Sequence, residues 1–330
     1  MTLKTIAEMT GTTVSTVSKA FKDSGEISNE TKTKILNAAK KLGCYEKYYK
    51  GTNSKKIIGI ILPEPESEIY GIAVGKIEKA FSKENVESLI GISRFNKERA
   101  RDIYSSMVYR AKVDGIIVFG QLDQINNIDY VPTVLISESK SYNSIGVTVV
   151  INLDEAMEQL ISMLKKQGYK KIGFIGENLT ASRLETFKHA MRNNGLPIYE
   201  EHIFVAKDKR FAEAGIEGML SFIEADTVPE VIITAYDNIA FGAMKVAREK
   251  GYRIPDDISF IGINDITTSE YMSASLSSID TNYEDVAHTA VNILLDKINR
   301  DIKKKRTPML KISAKIKLRE SIKAEGKAKP

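Results

Sequence analysis

The sequence predicts an α/β protein, with a small all-helical head followed by a two-lobed body built on parallel sheets. Three observations predict it. The chain opens with two short helices around a glycine turn, TLKTIAEMTGTTVSTVSKAF from Thr2 to Phe21. After Lys56, continuous apolar runs of strand length alternate with amphipathic helical stretches, the pattern of parallel sheets covered on both faces. The length, 330 residues, exceeds one small domain and fits a head with two larger lobes.

In the head, Thr5 and Glu8 stand at capping-box spacing, and Ile6, Ala7 and Met9 supply the apolar side of a first helix. Gly11 permits a sharp turn. Thr13 then caps a second helix, Val14 to Phe21, with Val17 and Phe21 one turn apart on the core face. Short helix, glycine turn and short helix is the helix-turn-helix pattern, whose second helix enters the DNA major groove. A third helix, Asn29 to Leu42, starts at Ser28 and buries Ile35, Ala38 and Leu42. A core of this size is marginal by itself, which predicts a head that tightens on DNA. Residues 1–43 form this head, and 44–56 a polar linker with Gly51, Asn53 and Ser54 as flexible points.

The body, residues 57–319, reads as strands at IIGIIL (57–62), GIIVFG (115–120), TVLIS (133–137), KIGFIG (171–176), EVIITA (230–235) and ISFIG (258–262). Helical stretches such as EAMEQLISMLKKQG and IAFGAMKVAREKG lie between them. About a dozen elements in this space suit two lobes better than one sheet, with 320–330 as a tail. The net charge of +5 is unevenly spread: residues 1–56 carry 11 lysines against 5 acidic residues, and residues 300–330 carry 12 basic against 3 acidic, leaving an acidic body. A basic head on an acidic body suits a nucleic-acid contact at one end; the basic tail reads as a solvated surface.

Other chemistries find little support. GIAVGK (71–76) has three residues between its glycines where a phosphate loop has four, and Ile77 replaces the Ser/Thr. The single cysteine, Cys44, permits no intramolecular disulfide and suits a reducing compartment. His189, His202 and His288 are scattered and read as surface or helix residues, so neither a metal centre nor a cofactor is expected. Nothing pairs a nucleophile with a base, which argues against an enzyme. With no apolar leader and no membrane-length apolar run, a cytoplasmic protein is expected.

The run IAEMTGTTVSTVSKAF followed by SNETKTKILNAAKKLG resembles the amino terminus of the LacI/GalR family of bacterial repressors. VDGIIVFG, QGYKKIGFIGE, YDNIAFGAMKVAREKGYRIPDDISFIGINDI and SLSSID extend the resemblance through the body. It implies the fold of periplasmic sugar-binding proteins, with one lobe at about 57–153 and 282–307 and the other at 154–281 and 308–319. The chain would cross between them three times, with an effector cleft at the carboxyl ends of the strands.

For DNA, the resemblance implies base contacts from Val14, Ser15 and Lys19. The core face is already taken by Val17 and Phe21, and lysine can reach guanine O6 and N7. Thr5, Thr16, Ser18 and Ser28 are placed for phosphates, as are Lys47 and Lys50 in the linker. That linker departs from the family, being short and lacking the leucine that wedges into the minor groove; Tyr48 or Tyr49 as a wedge is weighed against an ordinary linker.

For the effector, Arg183 matches a family arginine that reaches ligand oxygens, with a surface ion pair to Glu185 or a neighbour as the alternative. Asn264 stands where an aspartate is common, which argues against a cationic ligand. Tyr236 either stacks on a pyranose or fills space, Tyr70 lies at the cleft mouth, and Phe211 is divided between cleft and core. Ile151 replaces a family aspartate.

These implications describe a repressor working as a homodimer on a pseudo-palindromic operator and controlled by a small sugar. GIIVFGQ and GINDI with SEY and SLSSI are most similar to the galactose-repressor branch of Gram-positive bacteria, implying galactose or a galactoside. A phosphorylated protein co-effector is the alternative regulator, and a sugar-transport receptor a more distant one.

Overall fold

The computed structural model describes residues 2–22, 24–45, 48, 55–82, 84–120, 122, 131–138, 146–300 and 309–323. Lys47, Lys50 and Tyr49 lie outside them. Contacts divide the chain into a head unit, chiefly residues 1–57, and a body.

Among the described residues the head has helices α1 (Leu3–Thr10), α2 (Val14–Phe21) and α3 (Asn29–Lys41). The start of α1 differs from expectation. Thr2 is its cap and Thr5, at the third helical position, completes the box, because the threonine pair closes locally and leaves Glu8 outside. Gly11 ends α1 with φ +65°, a left-handed turn that favours glycine. Thr13 and Ser28 cap α2 and α3 as expected. Ile6, Ala7, Val17, Ala20, Phe21, Ile35, Ala38, Ala39 and Cys44 form the core, with Leu42 partly buried. Met9 is 52% exposed. Thr10 is buried in its place, its hydroxyl donating to the Ile6 carbonyl at 2.8 Å. Tyr45 and Tyr48 pack on Phe21, with ring centroids 6.5 and 5.7 Å away. The start of the expected linker is therefore part of the head's packing, and Tyr48 is spent on that core.

Among the described residues the body holds two six-stranded sheets. The first runs β11-β5-β4-β3-β1-β2, from β1 (Lys56–Leu62), β2 (Val86–Ile92), β3 (Gly115–Phe119), β4 (Thr133–Ser137), β5 (Val147–Asn152) and β11 (Met309–Ser313). The second runs β12-β10-β9-β8-β6-β7, from β6 (Ile172–Glu177), β7 (Ile203–Ala206), β8 (Val231–Thr234), β9 (Ser259–Ile263), β10 (Ser277–Asp280) and β12 (Lys315–Lys317). The registered pairs β1–β3, β3–β4, β4–β5 and β5–β11 are parallel, as are those from β7 to β10 through β6, β8 and β9. β12 is antiparallel to β10. Strands β3, β4 and β8 are buried along their whole length, in keeping with their largely apolar sequences.

Helices α4 (Glu68–Ala80), α5 (Lys97–Ser106) and α10 (Tyr283–Arg300) accompany the first sheet, and α6 (Leu153–Lys166), α7 (Ala181–Asn193), α8 (Phe211–Glu224) and α9 (Asp237–Glu249) the second. GIAVGK falls inside α4. Residues 309–313 join the first sheet, parallel to β5, rather than the second lobe in which the resemblance puts them. The second lobe takes the chain from Lys315 on, including Ser321 of the expected tail, which is buried there and donates to the Phe260 carbonyl at 2.7 Å. The chain passes between lobes after β5, after β10 and at Ala314. His189 and His288 are exposed on helices. His202 ends a short 3-10 helix, Glu200–His202, where it is buried and tilted against Tyr199 with centroids 5.1 Å apart.

Candidate functional site

In the head, helical periodicity divides α2 in two. Val17, Ala20 and Phe21 enter the core. Ser15 and Lys19 lie on the opposite side, one turn apart, with Ser18 beside them. Val14 stands one turn before Val17, at the edge of the core face, but as the first residue of the helix it is 45% exposed, so all three reach solvent towards the helix N-terminus. Lys19 is not free: its ammonium pairs with Glu26 in the turn before α3, and that lysine holds the Glu26 carboxyl below the usual range. Thr5, Thr16 and Ser28 are all at helix N-termini, where the backbone N–H groups and the dipole favour phosphate. Their hydroxyls hydrogen-bond Thr2, Thr13 and Thr31 respectively.

In the body, a cavity of about 340 Å³ lies between the lobes at the carboxyl ends of β1, β3, β4 and β6. Tyr70, Arg183, Tyr236, Asn264 and Ile151 line it. Phe211 is not among the lining residues. It stands behind Tyr236, edge-on with centroids 5.8 Å apart, and its backbone N–H donates to the Tyr236 hydroxyl at 3.1 Å. Tyr70 meets Phe119 edge to face at 5.7 Å, and Tyr283 stacks on Phe119 at 6.3 Å, giving an aromatic wall. Burial pushes the Tyr70, Tyr236 and Tyr283 phenols up, so all three remain hydroxyls at neutral pH.

Arg183, the first-turn residue of α7, is neither free nor paired with Glu185. Its Nε donates to Glu138 at 3.0 Å and a terminal nitrogen pairs with the other Glu138 oxygen. The remaining bonds go to the Ala235 carbonyl and, at 3.0 Å, to Asn264 Oδ1. Burial works against its charge, but Glu138 outweighs burial and raises its pKa. Asn264 holds φ +107° and Asp265 φ +53°. This tight turn after β9 is tied down by Asp265 ion pairs to Lys317 and Arg319 of the final crossing, both at 2.6 Å.

The sequence reading missed Glu64, Glu138, Glu177 and Arg210. Arg210 caps α8 and lies between Glu64 at 2.6 Å and Glu177 at 3.0 Å; the Glu64 hydrogen bond comes first among the causes that raise its pKa. Glu64 follows the first strand and Glu177 ends β6, so an acidic residue at a strand's carboxyl end was the available signal. No group of histidine, cysteine, aspartate and glutamate suited to a metal occurs among the described residues, and none of their helices is long and apolar enough to cross a membrane.

Residues 2–45 match the model of bacterial regulatory proteins of the lacI family, and residues 161–322 that of the periplasmic binding protein-like domain. Among relatives, the HTH-type transcriptional regulator GalR of Streptococcus thermophilus is 29% identical, covering 98% of this chain and 99% of its own. Among solved structures, a LacI-family regulator from Silicibacter pomeroyi superposes with TM-score 0.75 at 20% identity, covering 98% of this chain and 100% of that one. The lac repressor dimer bound to operator and the anti-inducer ONPF superposes with TM-score 0.74 at 18% identity, covering 98% and 99%. A lacI-type helix-turn-helix head on a periplasmic-binding-protein-like body makes this chain a DNA-binding transcriptional regulator of the LacI/GalR family.

Proposed function

We propose that this regulator represses transcription as a homodimer on a pseudo-palindromic operator, and that a small sugar bound between its lobes changes its operator affinity. Galactose or a galactoside is the first candidate. Val14, Ser15 and Lys19 read base edges, while Thr5, Thr16, Ser18, Ser28, Lys47 and Lys50 contact phosphates. The DNA half rests on the stripe of α2 that the core leaves exposed, with Val14 suited to a thymine methyl and Ser15 to one hydrogen bond.

The effector half rests on the cavity. Aromatic side chains face polar groups from both lobes there, as a ligand with apolar ring faces and hydroxyl edges requires. Tyr70, Arg183, Tyr236 and Asn264 touch the ligand, and Phe211 holds Tyr236 in place. Such a ligand shifts the regulator only if it binds its two states unequally.

A thermal-unfolding panel of the full chain with galactose, lactose, glucose and other sugars tests this. A ligand at a hundred times its dissociation constant adds about 2.7 kcal/mol, visible as several degrees. A shift with one sugar, accompanied by altered operator binding with the same sugar, supports the proposal. No shift with any sugar removes the sugar from it.

A further inference from the structure

Both arginines of the cleft are already occupied by carboxylates reaching over from the other lobe. The two terminal nitrogens of Arg210 donate to the two oxygens of Glu64 at 2.6 and 2.8 Å, and its Nε donates to Glu177 at 3.0 Å. The two-pronged contact of Arg183 goes to Glu138. Glu64 and Glu138 follow β1 and β4 of the first sheet, whereas Arg183, Arg210 and Glu177 belong to the second lobe.

A guanidinium fork is the group that would hold a phosphate or an acidic sugar. Here each fork already holds an anion supplied by the protein. Among the described residues that line the cavity, four carboxylates (Glu64, Glu68, Glu138 and Glu177) against two guanidiniums leave two net negative charges. Glu64 is 3% exposed and Glu177 2%. An entering phosphate would displace one of these carboxylates, strand it without its cation and meet a field of its own sign. A neutral hydroxyl meets no such penalty. It donates to an unused lone pair of a paired carboxylate and leaves the ion pair intact.

We propose that Glu64 and Glu138 set the charge specificity of the cleft: they fill both arginine forks, so the effector is an uncharged polyhydroxylated molecule and phosphorylated or acidic sugars are rejected. This rests on reading the cleft as the effector site.

The test uses the full chain and inorganic phosphate as the probe, with sodium chloride at matched ionic strength as control. Millimolar phosphate leaves the wild-type melting temperature at its control value. It raises that of Glu138→Gln, which frees the Arg183 fork, by several degrees, and that of Glu64→Gln by less, since Glu177 still holds Arg210. Equal stabilisation of wild type and variants by phosphate, or none in either variant, overturns the proposal.

Should both variants fail to fold, the wild type alone decides. Stabilisation by galactose 6-phosphate beyond that given by galactose overturns the proposal, and its absence supports it. A phosphate response confined to the variants, alongside no response of the wild type to any neutral sugar, supports the charge assignment while removing the sugar-effector reading. The two failures are thereby distinguishable.

Discussion

Lys19 and Glu26 illustrate how one residue can be poised for two partners. Away from DNA the ammonium rests on Glu26; on guanine it would exchange that carboxylate for O6 and N7. Lys19→Ala is expected to weaken operator binding by about 1–3 kcal/mol and relax preference at one position, while any sugar-induced thermal shift stays as in wild type. Binding to a randomised operator pool measures this, and an unchanged base preference would remove Lys19 from the recognition surface.

Asp237 is a second case. It is fully buried at the start of α9, accepting from Ser278 Oγ at 2.6 Å and the Ile266 N–H at 2.8 Å. Burial pushes its carboxyl up to about 7 from 3.8. The folded state therefore holds a proton that the unfolded state has lost, so this group's stabilisation is complete below about pH 4 and is lost as pH rises towards 7. Asp237→Asn is expected to flatten that decline, on the order of 4 kcal/mol, in urea titrations across the window.

Single side chains also mark where sequence reading stops. That Val17 and Phe21 turn inward is visible from helical spacing alone. That Arg183 meets Glu138 is not, because 45 residues of chain separate them and only the folded lobes bring them together.

Among the elements, helix caps and fully buried strands were legible because their signals are local. Thr13 and Ser28 sit directly ahead of the helices they cap, and GIIVF and the VLI of TVLIS are apolar without interruption. Two of the missed strands carry weaker signals. VESLIGI at β2 is a half-exposed edge, and KIK at β12 has a single apolar residue. Their pairing partners, not their composition, make them strands. Met9 was misassigned because apolar character alone does not fix the inner face: Ile6, Ala7 and Thr10 fill one arc of α1, and Met9 falls outside it.

The α8–α9 pair shows a further constraint of this kind. A Cβ on Gly242 would stand 1.9 Å from the Ala212 carbonyl, and one on Gly215 1.9 Å from the Ile239 carbonyl. The two helices cross backbone to backbone. Gly242→Ala is expected to force them apart and cost about 1–3 kcal/mol, read as a lower melting temperature. A neutral result would show that the crossing can open freely.

For the molecule as a whole, the uneven charge makes a quantitative prediction. If each head neutralises about four phosphates, log affinity for operator should fall against log salt with a slope of about −7 for a dimer. Titrations at several salt concentrations measure it, and a slope near zero would show that the basic head is not where DNA binds. The two-lobe plan with its three crossings was readable from alternating strands and helices together with the family resemblance, but the allocation of residues 309–313 to the first sheet was not.

That allocation has a consequence for how the protein is made. The stretch 309–317 supplies an outer strand to each sheet, with only Ala314 between them. Until the ribosome has passed this stretch, β5 and β10 each present an unpaired edge, so neither lobe can finish folding ahead of the other during synthesis. The nascent chain must keep two open sheet edges from meeting those of its neighbours on the same messenger, and one late segment closes both.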